Sequence, residues 1–319
     1  MRHLNTLLGT LHPEEMGTVA VREHVLWGSP GWEFDPRAWP RIAKVFEKSF
    51  NELLDFKLLG GQTFIECSGI GTGRDLDFLV KLAAVTGVHV VASTGFWSGA
   101  DTPAHFRRYA ADEFAKLFIH ELTVGIGQTR TRAGIISIGN GAGGMSELEI
   151  AICRGAARAA KATGAAVVTH GIDAAHRQVE IFVEESLALP RVVFGDCDRI
   201  VDLERDRWLA GFGACVAYDN VGLEEWSDLP HAMPDQRRAE LVAQMVASGH
   251  GERIMLSAGS KAAVLGGGRA HLSNVGNVLR YFVPELATAG VAQETIRAIL
   301  VENPKRVLPI QQDPAGDVA

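Results

Sequence analysis

The chain is poor in cysteine: Cys67, Cys153, Cys197 and Cys215 stand far apart, with no CxxC pair among them. That spacing excludes a thiolate zinc knuckle and a disulfide-stapled scaffold, and reduced thiols are expected. No basic run accompanies the formal charge of −7, so the footprint needed to neutralise a phosphate backbone is missing and nucleic acid is not an expected partner. No apolar run is long enough for a membrane span. The opening MRHLNTLLGTLHPEEMG carries charge and a proline where a signal peptide would be apolar, and a cytoplasmic protein is expected. A GxGxxG turn between strand and helix is also lacking, since GIGTG at Gly69–Gly73 is too short, which argues against a dinucleotide fold.

What is present is apolar material and periodicity. Residues of the hydrophobic class make up 47% of 319 positions against 22% charged, enough for one large core without disordered tracts. Short β-branched runs alternate with longer amphipathic stretches, the pattern of repeated βα units. Eight strands are expected: Thr18–His24, Gln62–Cys67, His89–Thr94, Ala133–Ile138, Ala166–His170, Arg191–Gly195, Gly213–Tyr218 and Arg253–Ser257. Helix-like periodicity follows, as in Glu147–Ala162 closed by Gly164, and Asn303-Pro304 is expected to interrupt the last helix after Gln293–Glu302. Eight parallel strands close most naturally as a (β/α)8 TIM barrel, one domain over residues 1–319 with a short N-terminal β extension and a C-terminal helix.

In such a barrel the functional groups lie at the C-terminal strand ends. Those ends read Arg22-Glu23-His24, Glu66-Cys67-Ser68, Ser137, His170, Gly195-Asp196-Cys197-Asp198, Tyr218-Asp219-Asn220 and Ser257-Ala258-Gly259-Ser260-Lys261. Alternation along a strand puts Arg22 and His24 on one face, and Phe64, Glu66 and Ser68 together on another, so Glu66 is a candidate partner for Arg22. Cys197 invites a cysteine–histidine nucleophile, although a free cysteine more often packs as a small hydrophobe. Lys261 is read as an anion anchor or a solvated charge. The loops GNGAGGMSE and LGGGRAHLSNVG are glycine-rich; amides of the first are candidates for an anion nest, and the second for a cover over the mouth.

The segments LNTLLGTLHPEEMGTVAVREHV, GRDLDFLVKLAAVTGVHVVASTGFW, RTRAGIISIGN, GAAVVTHG, RVVFGDCD and NPKRVL, in this order, resemble the phosphotriesterase and phosphotriesterase-like lactonase family of the amidohydrolase superfamily. The resemblance runs from the first residue to about Leu308. It implies hydrolysis of phosphotriesters, lactones or related esters, a binuclear metal centre that activates a hydroxide, and a homodimer. It also implies that Trp97 borders the substrate pocket or a subunit contact.

Carried across by position, the family's metal ligands are mostly replaced. The first histidine of His-x-His is Arg22 and the second is His24; the bridging lysine is Ser137; the strand-five histidine is retained as His170; the strand-six histidine is Asp196; the strand-eight aspartate is Gly259. Arginine has no lone pair for a metal, and a serine cannot form the bridging carbamate. The expectation is therefore a hydrolase without metal or other cofactor, acting on a small ester, lactone or other carbonyl compound, with His24, His170, Arg22, Asp196 and Asp219 in catalytic roles. Glu66, Ser137, Trp97, Cys197 and Lys261 are expected around the substrate. A metal-free lyase, isomerase or decarboxylase, a mononuclear enzyme with one zinc on His24, His170 and Asp196, and a non-catalytic binding protein are the alternatives.

Overall fold

The structure, a computed structural model, describes residues 2–223, 233–266 and 273–311. A hairpin of β1 (Arg2–Thr6) and β2 (Gly9–Leu11) precedes the parallel strands. These are β3 (Thr18–Trp27), β4 (Gly61–Glu66), β5 (His89–Thr94), β6 (Ile135–Ile138), β7 (Val167–Thr169), β8 (Val192–Phe194), β9 (Cys215–Tyr218), β10 (Ile254–Leu256) and β11 (Lys261–Val264). They form one sheet in the order β10-β9-β8-β7-β6-β5-β4-β3-β11, every neighbour parallel. Helices α1 (Ile42–Leu58), α2 (Leu76–Thr86), α3 (Ala111–Thr123), α4 (Glu147–Thr163), α5 (Ala175–Glu184), α6 (Leu203–Gly211) and α7 (Asp235–Ala247) connect them, and the result is the (β/α)8 barrel. The short β12 (Ile310–Gln311) pairs antiparallel with β1.

The strands form where both faces are buried, so they read as Val/Ile runs rather than as alternating ones. Val19, Val21, Ile65, Val91, Ile135, Val168, Val193, Ala217 and Met255 fill the interior, and Leu4, Leu11, Met16, Val307 and Leu308 join the same cluster from the segment before β3 and from the end of the last helix. That arrangement plugs the N-terminal end and leaves the opposite end for chemistry. Ala20, Phe64, Ala92, Ile136, Phe194 and Leu256 face outward against the helices. Truncating an interior residue such as Ile65 to Ala would cost about 2–5 kcal/mol. Helix ends follow local chemistry: Ser146 and Glu149 form a capping box before α4, and Gly164, at φ 73°, ends it in the left-handed region.

Two features depart from the sequence reading. The chain stays helical through Asn303-Pro304, because a π-helical segment, 298–302, lets proline enter as an early position of the next helical turn, Asn303–Val307. The eighth strand is also split, with β10 on β9 and β11 on β3. The ring closes over that split through Glu23. Its carboxylate accepts from Ser257 Oγ (2.7 Å) and from the amides of Ala258 (2.8 Å) and Ser260 (2.6 Å), while His24 N–H donates to Ser260 O (2.9 Å). No helix among the described residues is long and apolar enough to cross a membrane.

Candidate active site

Strand β3 sets the site by breaking its own alternation. Ala20 pairs with Phe64 and Glu23 with Glu66, so three steps on β3 face two on β4 and one residue is inserted as a bulge. Val21 belongs to the interior cluster, and the bulge keeps Arg22 at the mouth while Glu23 turns into the seam.

Arg22 is 4% exposed. Its Nε donates to Asp219 Oδ2 at 2.5 Å, and Nη2 donates to Asp219 Oδ1 and to Asp196 Oδ1, each at 2.8 Å. Among the described residues Nη1 makes no hydrogen bond, so one arm of the guanidinium remains for a ligand. Burial works against the charge, yet Asp219 and Asp196 hold the arginine pKa well above its ordinary value. Burial pushes the Asp219 carboxyl up, and the charge and hydrogen bonds of Arg22 pull it back down. Despite burial, Arg22, His170 and Arg199 hold Asp196 well below the usual carboxylate range. Asp196 sits at φ 61°, a left-handed conformation costing a non-glycine residue about 1–2 kcal/mol, and there its N–H meets Asp219 Oδ1 at 2.9 Å.

His170, from the end of β7, stacks on Trp97 at 3.8 Å between ring centroids, and His24 meets the same indole edge-on at 5.0 Å. His24 Nδ1 lies 3.2 Å from Ser68 Oγ. Burial, with Arg22 nearby, lowers the His170 pKa to about 3, so the ring is a neutral imidazole. Its Nε2 is buried without a hydrogen-bond partner among the described residues. The ring lies so close over Gly139 that a Cβ there would come within 2.0 Å of it.

Lys261 opens β11 rather than lying in a loop, in register with His24, and its Nζ stands 4.3 Å from the Trp27 ring and 5.4 Å from Trp97. Burial, with Arg22 close by, lowers its pKa to about 8. Ser137 Oγ donates to Cys67 O at 3.3 Å inside the barrel.

Arg22, His24, Trp97, Ser137, His170, Asp196, Asp219 and Lys261 thus gather at one mouth, and two expected neighbours do not. Glu66 lies on the outward face with Phe64, bonded to Ser68 Oγ and Ser68 N, because Ile65 and Cys67 take the interior positions of β4. It is Cys67 that feels Arg22. Cys197 packs in the outer layer, its thiol directed at Phe194 O at 3.2 Å, and burial pushes its pKa well up. The supposed nest in GNGAGGMSE is filled by the protein's own carboxylates: Glu149 accepts from Gly141 and Ser146, and Asp173 from Gly143. In the other loop, positions 267–272 lie outside the described residues.

Sequence reasoning gave no role to Asn220, which it placed only as a strand end, and missed Arg199 and Trp27. Asn220 Nδ2 donates to Asp196, Asp198 and Asp219, and Arg199 Nη1 lies 3.5 Å from Asp196 Oδ2. Their signal was adjacency, as Arg199 follows Asp-Cys-Asp and Asn220 follows Asp219. Asp198 accepts from the Asp219 amide and pairs with Arg238 at 2.6 Å, which braces the end of β9 from behind.

A β/α barrel with charged groups buried at the C-terminal mouth has the arrangement of a barrel enzyme's active site. The chain belongs to the phosphotriesterase family, whose model matches residues 2–308. Relatives span nearly all of it. The phosphotriesterase homology protein of Mycobacterium tuberculosis is 27% identical, with 96% of this chain and 98% of that one covered. The aryldialkylphosphatase of Saccharolobus solfataricus is 26% identical, with 93% and 96% covered. The N-acetyltaurine hydrolase of Xenopus tropicalis is 24% identical, with 96% and 97% covered.

Proposed function

We propose that the protein is a metal-independent hydrolase of a small ester, lactone or related carbonyl compound, built on the phosphotriesterase barrel. The observation that carries this reading is the fork of Arg22 on Asp219 with Asp196 alongside. The residues present do not fit the family's binuclear centre. A permanent cation without a lone pair occupies the first ligand position, Ser137 replaces the bridging lysine, and Gly259 offers no side chain at the last. Asp196 is already committed to Arg22 and Arg199, and no group of three or more His, Cys, Asp or Glu residues among those described has the arrangement of a metal site. In this reading the guanidinium supplies positive charge where the family places metal.

The reaction follows from what each group is free to do. Neutral His170, whose Nε2 has no hydrogen-bond partner among the described residues, takes a proton from water as it attacks the carbonyl carbon. Nη1 of Arg22 steadies the oxygen on which negative charge develops, and its fixed position means that little reorganisation is needed. His170 then returns the proton to the leaving oxygen. Asp219 and Asp196 hold the guanidinium, and His24, against Ser68 and Trp97, shapes the wall.

The test is turnover of a panel of esters and lactones by the protein and by its His170→Ala and Arg22→Met variants, with metal content measured on the same preparations. Hydrolysis lost in both variants and independent of bound metal supports the reading. Activity that tracks two tightly bound transition metals per chain would overturn it.

A further inference from the structure

One cation at the mouth has no carboxylate partner among the described residues. Arg22 is taken by Asp219 and Asp196, and Arg199 approaches Asp196. Asp198 is taken by Arg238, and Asp101 accepts from Ser98 Oγ at 2.7 Å. Lys261 has no ion pair or hydrogen bond among the described residues. Its contacts are the faces of Trp27 and Trp97. A lysine on a barrel wall normally reaches bulk water or pairs with a carboxylate, because its ammonium is strongly hydrated. Here two indoles replace part of that hydration, and of the charges it feels Arg22 and Arg199 repel it while Asp196 and Asp101 attract it. A partly dehydrated ammonium with no ion pair among the described residues is most favourably completed by an anion.

We propose that Lys261, flanked by Trp27 and Trp97, forms a subsite for an oxyanion carried by the substrate: a carboxylate, sulfonate or phosphate. The indole walls exclude water and fix the ammonium, which donates to the oxyanion. Arg22 Nη1 and His170 Nε2 stay with the reacting carbonyl, so the substrate carries its anion at one end and its scissile bond at the other. The inference rests on the proposed hydrolase reading for the second half of that statement only.

Its test reads binding, not turnover. Trp27 and Trp97 report on the subsite, so tryptophan fluorescence of the full chain is titrated with sodium acetate, methanesulfonate and phosphate, ionic strength being held constant with sodium chloride. We expect a saturable change with at least one oxyanion, weakened about tenfold or more in Lys261→Met and Lys261→Gln and restored to within about threefold by Lys261→Arg. Lys81→Met, an exposed control on α2, should titrate as the parent does. Two removal variants are used, with thermal melts, so that one misfolded protein does not decide the result. No saturable change with any of the three salts, or a titration that survives loss of the ammonium in a folded variant, overturns the subsite. A protein that hydrolyses nothing but passes this titration would sink the hydrolase reading and leave the subsite standing.

Discussion

Arg22 and Asp219 meet fork to fork in the barrel interior, Nε on Oδ2 at 2.5 Å and Nη2 on Oδ1 at 2.8 Å. Neither charge has water to fall back on, so removing one partner leaves the other buried and unpaired. Arg22→Met and Asp219→Leu are each expected to cost about 3–5 kcal/mol in urea unfolding, while the double variant costs less than their sum. Strictly additive losses would mean that the two side chains do not depend on one another.

His170 is expected to matter to rate far more than to stability. His170→Ala should lower kcat by about 10²–10⁴ with little change in melting temperature. Gly139→Ala should lower kcat as well, with a fall in melting temperature, because its Cβ would strike the buried imidazole. With its pKa lowered to about 3, His170 is neutral throughout the ordinary working range. The acidic limb of the kcat profile should therefore lie well below pH 6; a limb at the usual histidine value would assign the proton transfer to another group.

Glu66 makes stability depend on pH in a direction opposite to most carboxylates. Burial raises its folded-state pKa from 4.5 to about 7. The folded chain therefore holds a proton that the unfolded chain has released, so the contribution is fully present below about 4.5 and lost as pH rises through about 7. The span corresponds to something on the order of 3 kcal/mol. Glu66→Gln should flatten unfolding free energy between pH 5 and pH 8 relative to the parent, on a scale of about 1–3 kcal/mol. An unchanged slope would remove Glu66 from the account.

Metal removal offers a further check on the proposed chemistry. Dialysis against a strong chelator should leave hydrolysis and melting temperature unaltered, and added zinc or cobalt should not raise the rate. Loss of activity on chelation with recovery on adding metal would return the protein to its family's usual mechanism.

The fold was legible in the sequence because buried parallel strands are written as continuous Val/Ile runs, and all eight proposed strands correspond to β3 through β10. The site was legible as far as strand ends are, since position alone brought Arg22, His170, Asp196 and Asp219 to one mouth. Facing was not. Strict alternation cannot register the extra residue between Ala20 and Glu23, and it offered no way to know that Ile65 and Cys67, rather than Glu66, point inward. Nor could it show that Lys261 starts a strand, because that strand exists only through pairing with β3, a contact between residues more than two hundred positions apart.

The closure at Glu23 has its own consequence. Elsewhere around the ring, neighbouring strands are stitched by peptide groups, which cannot be titrated or mutated away; between β10 and β3, much of the joint is a single carboxylate. Such a cylinder has a zip. When it breathes, the amides of Ala258 and Ser260 should exchange with solvent ahead of those in β6 or β7.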